Sequence, residues 1–408
     1  MRRAFVVALH DGFYSAATGA GLSNQALLTA VAGHLPDGID LVVLPVRLDP
    51  SSPEYDETAH QRALTILGQT PHQVVPVDNG TGGQTRFGDL AAFQHLAKDT
   101  ARVVEDLTRT YDDGAILAID RPFVGLGHHS PNGPSWRAVY LPRSTARHHD
   151  DADHTAWERS SLGGWLRNGA TIGAISTHMR ELLQHHQVPA SRIVDVPNGL
   201  TGTPVPLSAA PSIPPEAENG FLLALGRAAP YKGFEDLLDA LELLQTRTVR
   251  VPHLLLAAVT DADGPNTYQQ HLGARRADLP VTLWTRFDPG IPGLLHHPAL
   301  RAVVVPSRAE PFGRIPLEAF IARAGPVVAT TAGGLTDTVI DGVTGYTAAP
   351  GDPASLANAI HHALTADTHS IERMNEAGRR LAFARRVKGE HGACCSGRGA
   401  LVGPWLSS

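Results

Sequence analysis

Short, unbroken apolar runs alternate with amphipathic stretches along nearly the whole chain. No other feature restricts the fold as strongly. Strands buried on both faces of a parallel sheet read as continuous apolar runs, and the helices joining them carry one polar face. Strands are expected at Phe5–Leu9, Leu41–Leu44, Val74–Val77, Ala115–Ile119, Ala138–Leu141, Ile172–Ser176 and Ile193–Val196. Helices are expected between them over Asn24–His34, Leu90–Arg109 and Met179–His186. Pro197–Gly220 is rich in Pro, Gly and Ser and has no period, which marks a linker. Beyond it the alternation restarts, with strands at Phe221–Leu225, Leu254–Ala258, Val281–Trp284, Ala302–Val305 and Val327–Ala329. Helices are expected at Phe234–Leu244, Leu317–Ala324, Thr336–Ile340 and Pro353–Leu364.

A chain of 408 residues has room for two such halves. The expected division is a first α/β domain over 1–199, a linker over 200–219, a second α/β domain over 220–383 and an irregular tail over 384–408. In open α/β sheets, ligands bind beyond the carboxyl ends of the strands. Two halves facing each other would share one cleft there.

Composition excludes several classes. With 42% hydrophobic and 18% charged residues the chain can bury sizeable cores. A net charge of −6 argues against a nucleic-acid-gripping protein. Cys394 and Cys395 are adjacent and cannot staple a disulfide framework, so a cytoplasmic protein is expected. The apolar run Ala4–Leu9 is too short for a signal peptide, and no stretch approaches the roughly 18 residues of a membrane span, so no membrane anchor is expected. Only Lys98, Lys232 and Lys388 are lysines among 34 basic residues, so the position of each is informative.

Three segments carry chemistry. In Val303–Tyr346 a buried strand runs into a loop with Glu310, Phe312 and Gly313 and then into a helix with Glu318. Carboxylates there can grip the hydroxyls of a polyhydroxylated ligand through charge-assisted bonds, and a helix N-terminus suits a phosphate. In Leu222–Leu241 a strand ends at Gly226, followed by Arg227 and by Lys232–Gly233 at a helix start. Both cations sit where a diphosphate would lie. In Ser15–His34 a loop with Gly19 and Gly21 precedes a helix expected from about Asn24. It lacks the third glycine and the acidic partner of a dinucleotide fingerprint, which disfavours a dehydrogenase.

Together these segments resemble the retaining glycosyltransferases of family four. Gly226-Arg227, Pro230 and Lys232-Gly233 are similar to that family's G-R-x-x-P-x-K-G, and Glu310 to Glu318 to its E-x₇-E segment. Gly333-Gly334-Leu335 and Asp341-Gly342 to Gly345-Tyr346 resemble its later elements, and Ile193–Gly199 the end of its first domain. The resemblance implies a GT-B fold, with two Rossmann-like parallel-sheet domains across a cleft. It implies that Arg227 and Lys232 neutralise the donor diphosphate, that Glu310 holds the transferred sugar and that Glu318 holds the ribose. Backbone at Phe312, Gly313 and Arg314 would contact the sugar and phosphates, the Gly19–Gly21 loop would close on the β-phosphate, and Val281–Thr285 with Arg286 and Phe287 would meet the base. No metal or cofactor is implied beyond the nucleotide sugar itself.

The first half departs from the family's pattern. Arg143 stands where a histidine is expected, and the common H-D pair appears as Ile119-Asp120. Arg143 is open to two readings, a group reaching a phosphate or acidic acceptor and a strand-end salt bridge. Asp120 either binds an acceptor hydroxyl or amine or caps the following turn. The run Ala146–Arg159, with His148, His149, Asp150, Asp151, Asp153 and His154, lacks metal-ligand spacing and reads as a solvated loop. That run and Asp49–Glu57 are acidic enough to attract a cationic acceptor such as an aminocyclitol.

The expected activity is retaining transfer of a hexose or N-acetylhexosamine from a nucleotide-diphosphate sugar, a UDP-sugar by preference. The acceptor is a hydroxyl of a small polyhydroxylated molecule, such as an antibiotic or osmolyte precursor. The alternatives are a sugar-nucleotide epimerase or hydrolase, and a non-catalytic nucleotide-sugar-binding protein.

Overall fold

A computed structural model describes residues 1–16, 18–129, 135–146, 152–200, 204–247, 249–260, 264–275 and 279–384. His148, His149, Asp150, Asp151, Lys388, Cys394 and Cys395 lie outside the described residues. The chain divides between residues 201 and 202 into two compact units.

The first unit is built on strands β1 (Arg3–Leu9), β2 (Ile39–Pro45), β3 (His72–Val74), β4 (Asp113–Ile119), β5 (Trp136–Leu141), β6 (Thr171–Ala174) and β7 (Ile193–Asp195). Its helices are α1 (Gly19–His34), α2 (Glu57–Leu67), α3 (Leu90–Thr110), α4 (Ala152–Arg167) and α5 (Thr177–His185). The strands lie in the order β3-β2-β1-β4-β5-β6-β7, and each neighbouring pair is parallel. The strand order therefore reverses between β1 and β4. Ala4 to Leu9 are all buried, which is why this strand shows no polar alternation. Beneath the sheet, Trp165 stacks on Tyr140 at 5.7 Å and donates its indole N–H to the Val124 carbonyl at 2.8 Å.

Three expectations for this unit are corrected. Helix α1 begins at Gly19 rather than near Asn24, because Thr18 caps it by accepting from the Gly21 amide at 3.0 Å. Strand β6 stops at Ala174, since Ser176 leaves the sheet to cap α5 by accepting from the Met179 amide. The run expected as a solvated loop yields α4 from Ala152 onward, with His154 and Glu158 buried. Helix α4 packs closely on a 3₁₀ segment (Arg121–His128), where a Cβ on Gly164 would strike the Gly127 carbonyl. That approach explains a glycine in a helix interior, where it otherwise costs about 1 kcal/mol.

The second unit has strands β8 (Phe221–Arg227), β9 (His253–Thr260), β10 (Val281–Arg286), β11 (Leu300–Val305), β12 (Val327–Thr330) and β13 (Tyr346–Ala348). Its helices are α6 (Phe234–Thr246), α7 (Thr267–Arg275), α8 (Arg314–Ala322), α9 (Pro353–Thr365) and α10 (Thr368–Ala384). The order is β10-β9-β8-β11-β12-β13, with a reversal between β8 and β11. Leu222, Leu254, Leu256 and Val304 are core residues of this sheet, each contributing about 1.5–3 kcal/mol on burial.

Thr336–Ile340 is not an α-helix; a 3₁₀ turn covers Gly333–Asp337, and Asp341 bridges back to Gly345. The Pro-rich segment before β8 is also more ordered than a linker reading implies. It forms short 3₁₀ turns at Leu207–Ala209 and Pro215–Ala217, and Gly290 and Gly293 pack against its carbonyls. Among the described residues no helix is long and apolar enough to cross a membrane.

Candidate active site

Each sheet has a point where neighbouring strands lead their connections away in opposite directions. A crevice opens there beyond the carboxyl ends. In the second unit this point lies between β8 and β11, and the sequence-predicted donor residues lie on the segments that leave it.

Arg227 is the last residue of β8 and is exposed. A single 3₁₀ turn, Pro230–Lys232, follows. Gly233 then adopts φ 66° and starts α6; a Cβ there would run into the Pro306 carbonyl oxygen. Glycine thus lets the segment after β8 lie against the segment after β11. The result is direct contact between two predicted residues: the Lys232 ammonium donates to the Glu310 carboxylate at 2.5 Å. Their side chains are only 16% and 15% exposed. Burial alone would lower the Lys232 pKa, but the adjacent Glu310 and Tyr231 outweigh it and the net shift is upward. The ammonium is therefore charged at neutral pH.

Glu310 is held from several sides. Its backbone carbonyl accepts from the Gly334 amide at 2.8 Å, and the Ser307 hydroxyl reaches its carboxylate at 3.5 Å. Gly313 has φ 84° and brings the chain into α8, where a Cβ would meet the Leu335 side chain. Gly334 in turn packs on the backbone of Pro311 and Phe312. The Phe312 ring is 3% exposed, so it anchors the loop in the core. The N-cap of α8 is Gly313, which has no side chain to bond the helix's first amides. Such a terminus offers N–H donors and a positive dipole end to an anion. Arg314 and Glu318 pair one turn apart at 3.1 Å.

Arg286 and Phe287 lie at the carboxyl end of β10, separated from β8 by β9. Both are exposed. The nearby Thr285 carbonyl accepts from the Gln269 side chain at 2.7 Å. A cavity of 760 Å³ opens at the opposite, amino-terminal edge of this sheet, lined by Gly220, His253, Val281 and Arg301 among others. Val281 and Thr282, expected near the base, line it at the start of β10, but Arg227, Lys232, Glu310 and Glu318 do not.

Sequence reasoning did not single out the groups that fasten the two segments together. The Arg308 guanidinium makes two bonds to Asp236 on α6, at 2.7 and 2.6 Å. The Arg308 amide donates to the Tyr231 carbonyl at 2.7 Å, and Thr330 donates to the Ser307 carbonyl at 2.5 Å. The only available signal was the position of Arg308 two residues before Glu310.

In the first unit the reversal lies between β1 and β4, which pair Leu9 with Ile119. His10 and Asp120 therefore emerge side by side. Asp120 is 3% exposed, has φ 75° and accepts from the Arg121 amide at 2.8 Å, so it caps the following turn. A non-glycine residue at positive φ is uncommon and concentrates at functional edges. Burial lowers the His10 pKa, while Asp120 and Glu54 act in the opposite direction.

Gly19 and Gly21 sit in the first turn of α1 instead of forming a loop. A Cβ on Gly21 would collide with the Asp11 carboxylate, which Thr18 also bonds at 2.5 Å. Arg143 is 5% exposed and faces inward. It donates to Asn24 at 2.9 Å, to Asn198 and to the Ser23 carbonyl at 3.4 Å, joining α1 to the segment after β7.

The acidic residues of 49–57 are engaged locally. Asp49 bonds Ser51, Glu54 bonds Thr85 and Asp56 caps α2. Behind them Arg121 bonds Glu158 at 2.8 Å and His154 at 3.1 Å, both deep in the unit. Among the described residues no group of three His, Cys, Asp or Glu side chains converges as metal ligands.

Residues 210–381 match the family model described as glycosyl transferases group 1. A D-inositol 3-phosphate glycosyltransferase of Frankia alni is 39% identical over 154 residues, covering 36% of this chain and 38% of that one. The match thus spans well under half of that relative's length. A glycogen synthase of Mycobacterium tuberculosis is 28% identical over 89% of this chain and 86% of its own. A 2-deoxystreptamine glucosyltransferase of Streptomyces kanamyceticus is 29% identical over 67% and 72%. Among solved structures, an Anabaena protein in complex with UDP and glucose superposes with a TM-score of 0.65 at 20% identity, covering 94% of this chain and 96% of that one. The chain has the GT-B fold, and its residues 210–381 are similar to the glycosyl transferases group 1 family.

Proposed function

We propose that the protein transfers a hexose or N-acetylhexosamine from a nucleotide-diphosphate sugar, a UDP-sugar by preference, to a hydroxyl of a small polar acceptor with retention of configuration. The observation that carries this reading is the Lys232–Glu310 pair beside the uncapped start of α8. A donor offers each partner a replacement. Its diphosphate takes Lys232 and Arg227, and its sugar hydroxyls take Glu310. Exchange of partners avoids leaving either buried charge alone, which would otherwise be costly.

As the bond from the sugar C1 to the β-phosphate oxygen breaks, negative charge grows on the leaving diphosphate. Fixed cations aimed at that charge stabilise the transition state more than the ground state. The acceptor hydroxyl attacks C1 from the same face, and its proton passes to the departing phosphate oxygen. Arg227, Lys232 and the α8 amides supply the positive potential in this scheme, and no metal is required. Glu318 holds the ribose once released from Arg314, and Arg286 and Phe287 flank the base.

The UDP preference is supported by the Anabaena structure with UDP and glucose, and the small polar acceptor by the names of the inositol-phosphate and 2-deoxystreptamine relatives. The test is incubation with UDP-, GDP-, ADP- and dTDP-sugars, each with inositol phosphates, 2-deoxystreptamine or glycogen, with and without EDTA. Nucleotide release and the anomeric coupling in the product NMR spectrum are the readouts. An inverted product would sink the front-face mechanism, and loss of turnover in EDTA would sink metal independence. Turnover without any acceptor would favour the epimerase or hydrolase reading.

A further inference from the structure

We infer that Arg308 and Asp236 form a positioning clamp that sets the placement of Glu310 relative to Lys232, although neither belongs to the donor-contact set. The inference rests on the transferase reading of that site. Glu310 reaches the crevice on a short loop after β11, and Lys232 on the turn after β8. Nothing covalent near the site links the two; Lys232 and Glu310 are 78 residues apart in sequence. Their spacing is set by what ties the two segments together.

The ties converge on Arg308. Its amide donates to the Tyr231 carbonyl, one residue before Lys232. Its guanidinium forks onto both oxygens of Asp236. The Asp236 side chain is 7% exposed and lies in the first turn of α6, where the helix dipole favours its negative charge. Glu235 adds a second carboxylate at 3.6 Å. A two-point fork fixes direction as well as distance, which a single charged contact does not. Arg308 therefore holds the Glu310 loop on α6, the helix that Lys232–Gly233 opens. Gly233 under the Pro306 carbonyl leaves no room for the segments to slide closer. A misplacement of about 1 Å in a reacting constellation can lower turnover about 100-fold.

The test uses the full chain and the sugar nucleotide that wild type turns over best. Arg308→Ala is expected to lower kcat by about 10- to 100-fold while the Kd for the nucleoside diphosphate stays near wild type. Arg308→Lys is expected to recover little, because an ammonium cannot fork. Asp236→Asn, which keeps the shape but not the charge, should fall between them. Asp239→Ala on the same helix removes an ion pair to Arg275 on α7, with no bond to the Glu310 loop, and it should leave kcat unchanged.

A second readout is independent of acceptor. The affinity that the sugar adds to the bare diphosphate should shrink in Arg308→Ala, because Glu310 no longer meets the sugar squarely. A folded Arg308→Ala with wild-type kcat overturns the clamp and leaves the transferase reading standing. So does a kcat loss that Asp239→Ala reproduces, or a failure of all three clamp variants to fold. Wild-type protein that neither binds nor turns over any sugar nucleotide overturns both.

Discussion

The carboxyl edges of the two sheets use the same kinds of side chain in opposite ways. In the first unit the charged and polar groups around the reversal are turned inward. Arg143 joins α1 to the segment after β7, the Asp11 carboxylate accepts from Thr18 and the Gly12 amide, and Arg121 is buried on Glu158. In the second unit Lys232 pairs with Glu310 and Arg314 with Glu318 on the segments that leave the crevice, and the proposed donor would replace a partner in each pair. One edge spends its polarity on holding shape. The other keeps its polarity exchangeable. A sheet edge is thus marked as a site less by how many charged groups it carries than by whether they can change partners.

Variants that separate these roles should rank in a definite order. Arg121→Ala strands the buried Glu158 carboxylate, and we expect a stability loss of about 3–5 kcal/mol in urea unfolding. A loss in the range of exposed pairs, below about 1 kcal/mol, would contradict the reading of this edge as scaffold. Next, Glu310→Gln should lower kcat about 10²–10³-fold and leave the melting temperature close to wild type. If the melting temperature collapses instead, Glu310 is a structural group and the contrast between the edges fails.

Gly313→Ala places a side chain at φ 84° against Leu335 and should cost about 1–3 kcal/mol. It should also weaken diphosphate binding, since α8 starts at the next residue. Unaltered affinity in calorimetry would remove the α8 terminus from the site.

The smallest effect concerns pH. Burial holds the His10 pKa below its ordinary 6.5, so the folded protein binds fewer protons there than the unfolded chain does. His10 therefore contributes stability above about pH 6.5 that is lost as the pH falls toward its folded value. His10→Gln should flatten the decline in unfolding free energy between about pH 7 and 5. Identical slopes for variant and wild type would show that His10 is not burdened by its surroundings.

The strands were largely legible because parallel strands covered on both faces leave uninterrupted apolar runs. Helix α4 was not, because the sequence leading into it is rich in His and Asp and its interior carries Gly163 and Gly164. Those features look like a loop until the Gly127 contact explains the glycine. Within the site, Arg227, Lys232, Glu310 and Glu318 fall on short local motifs and could be read directly. The Arg308–Asp236 pair joins positions 72 residues apart, and no local spacing announces it. The same holds for Arg143, whose sequence position suggested a phosphate contact or a strand-end salt bridge, whereas its guanidinium donates to the side-chain oxygens of Asn24 and Asn198. Local motifs name the groups proposed to meet a ligand, whereas the contacts that hold those segments in place are visible only once the chain has folded.

The mutual contact of Lys232 and Glu310 also bears on how a turnover would end. In the proposed scheme an intact sugar nucleotide satisfies both residues at once, the lysine at the diphosphate and the glutamate at the adjoining sugar. A spent nucleoside diphosphate satisfies only the lysine and competes with the carboxylate for it. The contact that precedes catalysis is then the same one that helps eject what catalysis leaves behind. Product inhibition should be weaker in this protein than in a variant whose Glu310 is neutral.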